Sequence, residues 1–475
     1  MSIDLGRARL IDQRHLPSGT GLERVPALDG VEPMDAAELL LGLPGLVLLE
    51  SARPGRRARW SYLTADPLAV LDTAAEGSDP FADARRLLAR LAPGRLPGDG
   101  APPFSGGLAG YLGYDFGRRL ETLPSLAIGD QPMPELRLAL HDLVIAWDRR
   151  RGVAWLAGRT LDGDVARLRR RRDELLSRLL ARVGGWARPS SAAAEEPPRR
   201  FTSNFDRAAF EAMVERVRDE IARGEIYQAN VARRLSAPFR GATWPLYRRL
   251  RTGDPVTHAA YLDLGEGRAL VSASPEPFLS LDVDGRIATD PIKGTRPRGA
   301  TPEQDRALAR ELLASEKDHA ENVMIVDVLR NDLGRVSIPG TVRVPRLCRL
   351  ERTSAVQHLV STVTGRLEPG RDAFDLLAAS FPGGSISGAP KIRAMQIIES
   401  LEPVRRGPYT GTTLWLGADG AMGSSILIRT LVADGGRLTL HVGGGMTWRS
   451  GPHEEWEETR AKARGPLSAL GAVEA

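Results

Sequence analysis

The chain has 475 residues, 42% hydrophobic and 26% charged, with 65 Lys plus Arg against 60 Asp plus Glu and a formal net charge of +5. This composition excludes disordered and fibrous classes and allows one large core or two. Apolar runs such as "LLLGLPGLVLL" at 39–49 fall short of the roughly 20 residues of a membrane helix and contain Gly and Pro, so no membrane span is expected.

The N-terminal "MSIDLGRARLIDQRHLPSG" lacks the apolar core of a secretory signal. The single cysteine, Cys348, cannot form an internal disulfide; its context, "PRLCRLE", suggests strand packing, and a cytoplasmic protein is expected. Up to residue 183, short apolar runs ("LVLLES", "ELRLALHDLVIAWD", "VAWLAG") alternate with turns and with the helical pattern "DPFADARRLLARL", predicting a mainly antiparallel sheet with helices outside. In "RLRRRRDELLSRLLARVGG" (167–185), Leu168, Leu175, Leu176, Leu179, Leu180 and Val183 recur at helical spacing, which predicts an amphipathic helix with a solvated basic face. No aromatic side chains interleave those arginines, so the isoelectric point near 9.6 is not read as nucleic-acid binding.

Residues 184–200, "GGWARPSSAAAEEPPRR", show no periodicity and read as a linker between a region 1–183 and a region 201–470. Beyond it, helical stretches (206–224, 301–334, 372–380) alternate with strands (257–264, 269–274, 278–290, 425–445), and Asp284-Gly285 and Gly435-Gly436 mark hairpins. Hairpins rather than regular βαβ units predict an α+β architecture.

Only four lysines occur, Lys293, Lys317, Lys391 and Lys462, in a chain whose other positive charge is arginine. A guanidinium stays protonated, whereas a desolvated ammonium can lose its proton and attack, so surviving lysines mark sites where an amine is needed. Asp318 and Glu321 lie three apart on one predicted helix face, and Glu455 and Glu458 repeat the spacing. Converging, the two pairs would suit Mg²⁺, a hard cation that takes one or two carboxylates plus oxygens of an anionic substrate. "FPGGSISGAPK" (381–391) and "HVGGGMTW" (441–448) offer backbone amides to an anion but match no P-loop. Arg429, ending the apolar strand "SSILIRT", is costly to bury unless it binds an anion.

Nine motifs then appear in order: "IYQANVARR" (226–234), "SASPEPFL" (272–279), "PIKGTRPRG" (291–299), "KDHAENVMIVDVLRNDLGRV" (317–336), "QHLVSTVTG" (357–365), "FPGGSISGAPKIRAMQIIE" (381–399), "YTGTTLW" (409–415), "ILIRT" (426–430) and "EEWEETRAKAR" (454–464). With "FSGGLAGYLGYDFGRRLE" (104–121) and "LLES" (48–51), they make the chain resemble component I of the chorismate-utilising enzymes, related to anthranilate synthase component I. The resemblance implies large, mainly antiparallel sheets forming a sandwich with helices outside. Relatives that add water to chorismate carry a lysine where this chain has Gln228, which cannot act as a base; anthranilate synthases carry alanine where it has Lys293. The pattern therefore resembles the aminodeoxychorismate synthases, whose product leads to 4-aminobenzoate and folate, with anthranilate synthase component I the alternative.

By residue matching, the resemblance implies Lys293 as nucleophile at C2 of chorismate, followed by ammonia at C4, and Glu276 as the acid for the departing hydroxyl. Mg²⁺ would be held by Glu321 and Glu458, supported by Asp318 and Glu455; Arg429, Tyr409, Lys462 and the amides of Gly443, Gly444 and Gly445 would hold carboxylates, and His358, Gly294 and Thr295 would line the ring. Ammonia would come from a separate glutamine amidotransferase. Glu50 and Ser51 in "LLES" form a candidate tryptophan site. Two departures stand out: Trp448, Arg449 and Ser450 replace an Ala-Asp-Ser triplet, and Asp318 replaces a glutamate.

Overall fold

The computed structural model describes residues 20–53, 59–72, 79–96, 100–183, 200–353 and 356–475. The N-terminal stretch 1–19 and residues 184–199 of the expected linker lie outside them, while Arg200 begins the strand Arg200–Ser203.

Two sheets, of 13 and 10 strands, carry the fold. Their ladders are antiparallel except where Val473–Glu474 runs parallel to the strand at 200–203. Val47, Tyr62, Tyr111, Val144, Leu262, Leu270 and Val432, drawn from both sheets, interlock between them as a sandwich core. Helices cover the outer faces. Val165–Val183, Trp244–Gly253, Pro452–Leu470 and Lys391–Leu401 lie on the larger sheet, the last against strand Gln228–Pro238, and Pro80–Leu88, Glu316–Gly334 and Ala373–Ser380 on the smaller. The architecture is the α+β sandwich expected from the sequence.

Strands from either side of 184–199 share both sheets, each side forming one block that meets the other at a single junction: Val47–Glu50 pairs with His258–Gly265, and Gly107–Leu112 with Thr412–Gly417. Both expected hairpins form, at Gly285 (φ +78°) and Gly435 (φ +88°), where only glycine takes the left-handed backbone cheaply. The helical run 301–334 forms two helices. Thr301 caps Pro302–Ala314, and Ser315, in extended backbone, caps Glu316–Gly334 by accepting from the Asp318 amide at 3.2 Å. The basic helix 165–183 is less solvated than its pattern suggests: Arg171 bridges Asp66 and Asp142, and Arg172 meets Glu23, tying the helix to the sheet. No described helix is long and apolar enough to cross a membrane.

Candidate active site

Strand Ile292–Pro297 pairs with Val356–Arg366, with a register shift between Lys293 and Thr295. Gly294 absorbs that bulge at φ +76°, and a Cβ there would sit 2.9 Å from Asp318 Cβ and 3.0 Å from Leu312 Cδ1. The Lys293 ammonium donates to the Ser385 carbonyl at 3.1 Å. Burial holds its pKa below the usual lysine range, with Glu276 and Glu321 partly offsetting the effect. Glu276, only 8% exposed, follows strand Arg268–Ser274. Burial pushes its carboxyl up, against the Ser385 hydroxyl bond and the charges of Lys293, Lys462 and Arg429. An amine biased toward neutrality thus faces an acid biased toward protonation, the pairing that nucleophilic attack with acid-assisted departure requires.

The four acids come from two helices. Glu321 Oε1 is buried without a hydrogen-bond partner, 3.9 Å from the Lys317 ammonium, and burial raises its pKa. Glu458 meets Lys462 at 2.6 Å, while Glu455, raised by burial, accepts from the Ser450 hydroxyl at 2.6 Å. Gly444 keeps this cradle open: a Cβ there would lie 3.2 Å from Glu455 Oε2 and 3.4 Å from Glu458 Oε1. Asp318 turns away to Arg296 at 3.3 Å. Among the described residues, no three acid, histidine or cysteine side chains gather closely enough to hold a metal by themselves. The orphaned Glu321 oxygen and the open cradle therefore fit Mg²⁺ bound through two carboxylates, with the remaining positions left to water and substrate oxygens.

Arg429 departs from its expected place. The strand Met422–Ile426 ends before it, Arg429 takes a left-handed backbone (φ +50°), and its side chain is 38% exposed, meeting Asp254 at 3.3 Å. It is a cation at the mouth of the site, not one embedded in the core. Its charge acts on both Glu276 and His358. His358 Nδ1 pairs with Thr295 Oγ1 at 2.9 Å, and burial lowers its pKa to about 4, so the ring is neutral near pH 7. Lys462 donates to the Gly443 carbonyl at 2.8 Å. Gly443, Gly444 and Gly445 sit within strand Arg437–Met446, against Ala232, Val231 and Asn230. Tyr409 is held by other contacts: it stacks on His441 (4.9 Å between ring centroids) with the Arg406 guanidinium 5.7 Å from its ring centre.

The fourth lysine, Lys391, has a different task, bonding Asp332 at 2.6 Å and the Ser380 carbonyl at 2.8 Å in a buried setting. The turn 381–391, read as an amide nest, presents the Ser385 carbonyl to Lys293 instead. Asn230 donates to the same carbonyl at 2.6 Å. Asn230 and Ser385 were not singled out from the sequence, although both lie inside the quoted motifs. Gln228 is fully buried with neither amide atom partnered, and its nitrogen fills the space that a Cβ on Gly445 would need.

Glu50 and Ser51 lie apart from these groups. Glu50 accepts from the Tyr247 hydroxyl at 2.7 Å and from Arg251 at 2.6 Å; Ser51 donates to the Trp60 carbonyl at 2.8 Å. With Trp60, Tyr62, His258 and Trp415 they line a cavity of about 340 Å³.

A buried amine and acid beside paired carboxylates and a glycine-lined strand define a site for an anionic small molecule. Residues 47–468 match the family model for chorismate binding enzyme, and the chain belongs to that family. Anthranilate synthase component 1 of Streptomyces coelicolor is 43% identical over 459 residues, covering 94% of this chain and 88% of that protein. Aminodeoxychorismate synthase component 1 of Salmonella typhimurium is 39% identical over 428 residues, covering 87% and 90%. The crystal structure of anthranilate synthase component I from Streptococcus pneumoniae superposes with a TM-score of 0.76 at 30% identity, covering 87% of this chain and 93% of that one.

Proposed function

We propose that the chain forms 4-amino-4-deoxychorismate from chorismate and ammonia, the ammonia delivered by a glutamine amidotransferase partner. The observation that carries this reading is the Lys293 ammonium, desolvated and hydrogen-bonded inside the site beside Glu276. Neutral Lys293 bonds through Nζ to C2 of the ring; the two conjugated ring double bonds shift, C1=C2 to C1=C6 and C5=C6 to C4=C5, the C4–O bond breaks, and the hydroxyl leaves as water with the proton of Glu276. Ammonia then bonds to C4, both double bonds return to their first positions and the C2–N bond breaks, restoring lysine. The proton shed by the incoming nitrogen goes to the Glu276 carboxylate, so the acid is regenerated. Mg²⁺ held by Glu321 and Glu458, with Glu455 behind them and Asp318 drawn off by Arg296, would supply positive charge for the ring carboxylate. Lys462 and Arg429 orient the anion, and His358, neutral, can take part in hydrogen bonds without adding charge.

Partnership with an amidotransferase is supported by the "component 1" in the relatives' names. Those names also favour a second reading, anthranilate formation, since relatives at 43% and 41% identity are called anthranilate synthase. The purified chain, given chorismate, Mg²⁺ and ammonium, separates the two. Expected is a non-fluorescent amino-deoxychorismate that an added lyase converts to 4-aminobenzoate, with Lys293→Ala losing it. Anthranilate fluorescence with matching pyruvate release would overturn the proposal.

A further inference from the structure

Helix Glu316–Gly334 sends an apolar stripe, Ile325, Val326, Leu329 and Leu333, into the core of the smaller sheet, and the stripe begins with an amide. Asn322 stands at its first position, 0% exposed, where helical spacing alone would place another aliphatic side chain. Glu321, one residue earlier and so about 100° round the helix, is turned toward Lys293 and Glu458 instead.

Both polar atoms of the Asn322 side chain are bonded, and the direction of each bond is determined. The Cys348 amide donates to Ser361 Oγ at 2.9 Å, which leaves the Ser361 proton for Asn322 Oδ1; Asn322 Nδ2 then donates to the Leu359 carbonyl at 3.3 Å. Leu359 and Ser361 belong to strand Val356–Arg366, and Leu359 is paired in register with Lys293. One buried amide therefore joins the helix that bears Glu321 to the residue opposite the nucleophile. For stability alone an aliphatic side chain packed against apolar partners would serve as well. Apolar burial is non-directional and tolerates small rotations of a helix on its sheet, whereas a satisfied pair of buried hydrogen bonds selects one arrangement.

We propose that Asn322 is a positioning residue for Glu321, registering this carboxylate against the strand pair that presents Lys293, so that a cation held at Glu321 meets the ring carboxylate while C2 meets the amine. The proposal rests on the metal role given above to Glu321, but not on which amine product forms. Without the amide the helix keeps its apolar seat, and Glu321 loses its fixed bearing on the Lys293 strand. Ser361 is the weaker arm of the device, because its removal spares the bond from Asn322 to the Leu359 carbonyl.

The test reads the cation directly, by electron paramagnetic resonance of Mn²⁺ added to the full chain with chorismate and no ammonium. Asn322→Ala should raise the Kd of Mn²⁺ at least about tenfold, the effect of removing a group that orients a metal ligand, and Ser361→Ala should raise it by a smaller factor. Asn322→Leu refills the buried space, keeps the fold by circular dichroism and should show the same loss as Asn322→Ala. In turnover the change should fall on the Mg²⁺ activation constant, with the KM for ammonium altered less than about twofold. Wild-type Mn²⁺ affinity in a folded Asn322→Leu, or in Ser361→Ala, would overturn the inference, and so would a loss matched by an equal rise in the KM for ammonium, the mark of a site loosened throughout. A wild-type chain that binds no Mn²⁺ beside chorismate would overturn the metal role of Glu321 itself.

Discussion

Replacing Gly294 by alanine should separate folding from chemistry at the point where the strand presents Lys293. The backbone there is left-handed, φ +76°, which costs a residue bearing a Cβ about 1–2 kcal/mol. The added carbon would also meet Asp318 Cβ at 2.9 Å and Leu312 Cδ1 at 3.0 Å, and relieving such crowding costs about 1–3 kcal/mol. The sum, about 2–5 kcal/mol, is a large share of the roughly 5–15 kcal/mol that holds a domain folded. Part of the strain can be relieved by moving the bulge, which drags Lys293 from the Ser385 carbonyl; a misplacement of about 1 Å costs roughly a hundredfold in rate. Urea unfolding should therefore show an earlier midpoint with an unchanged slope, and turnover measured where circular dichroism reports a folded variant should drop by about two orders of magnitude. Wild-type stability and turnover together would refute the link between this bulge and the placement of the amine.

Further outcomes follow from the same geometry. Glu276→Gln should lower kcat by about 10²–10⁴, and since the raised pKa of Glu276 keeps its acid form to higher pH, the loss of activity on raising pH through that pKa should disappear from the variant's profile; a retained limb assigns the acid elsewhere. Asp332→Ala leaves the buried Lys391 ammonium without its carboxylate and should cost about 3–5 kcal/mol in urea unfolding, most of it regained by Asp332→Leu with Lys391→Met; a single-variant loss below about 1 kcal/mol contradicts a stabilising pair. L-Tryptophan should occupy the cavity of about 340 Å³ at Glu50 and Ser51 and raise the thermal midpoint, by about 2.7 kcal/mol of stability at a hundred times its Kd; no shift at millimolar tryptophan removes that assignment.

Much of the site was legible because its residues lie in short, contiguous runs. Hairpin turns at Gly285 and Gly435 could be read from their dipeptides, and the scarcity of lysine pointed to Lys293, Lys317 and Lys462, which the fold brings together. What escaped depended on distant partners. Arg429 looked strand-borne because apolar and small residues precede it, and neither its φ of +50° nor its contact with Asp254, 175 positions away, leaves a local mark. Asp318 has the right spacing from Glu321 on its helix, but Arg296, on strand Ile292–Pro297, takes its carboxylate. Composition marks 184–200 as a break in the chain, yet pairings such as Ala259 with Glu50 run across it, since strand order in a sheet is set by long-range packing that periodicity does not encode.

The charges of the site show why cation and anion should bind together. Glu458 is held below the usual carboxylate range by direct contact with Lys462, whereas Glu321 and Glu455 are pushed up by burial, and Glu321 Oε1 has no hydrogen-bond partner. A dicarboxylate arriving alone would meet these acids, and a divalent cation arriving alone would meet the ammoniums of Lys317 and Lys462 that now stand against them. Together, the cation would offset the acids and leave Lys462 free for the carboxylate, so each should tighten the other. Linkage makes the two effects equal: the factor by which Mg²⁺ lowers the Kd of chorismate must match the factor by which chorismate lowers that of Mg²⁺. Titrating each in the absence and presence of the other, with Glu321→Gln expected to bring both factors toward one, checks the argument; a chorismate affinity indifferent to Mg²⁺ would leave the buried Glu321 oxygen without the role given to it here.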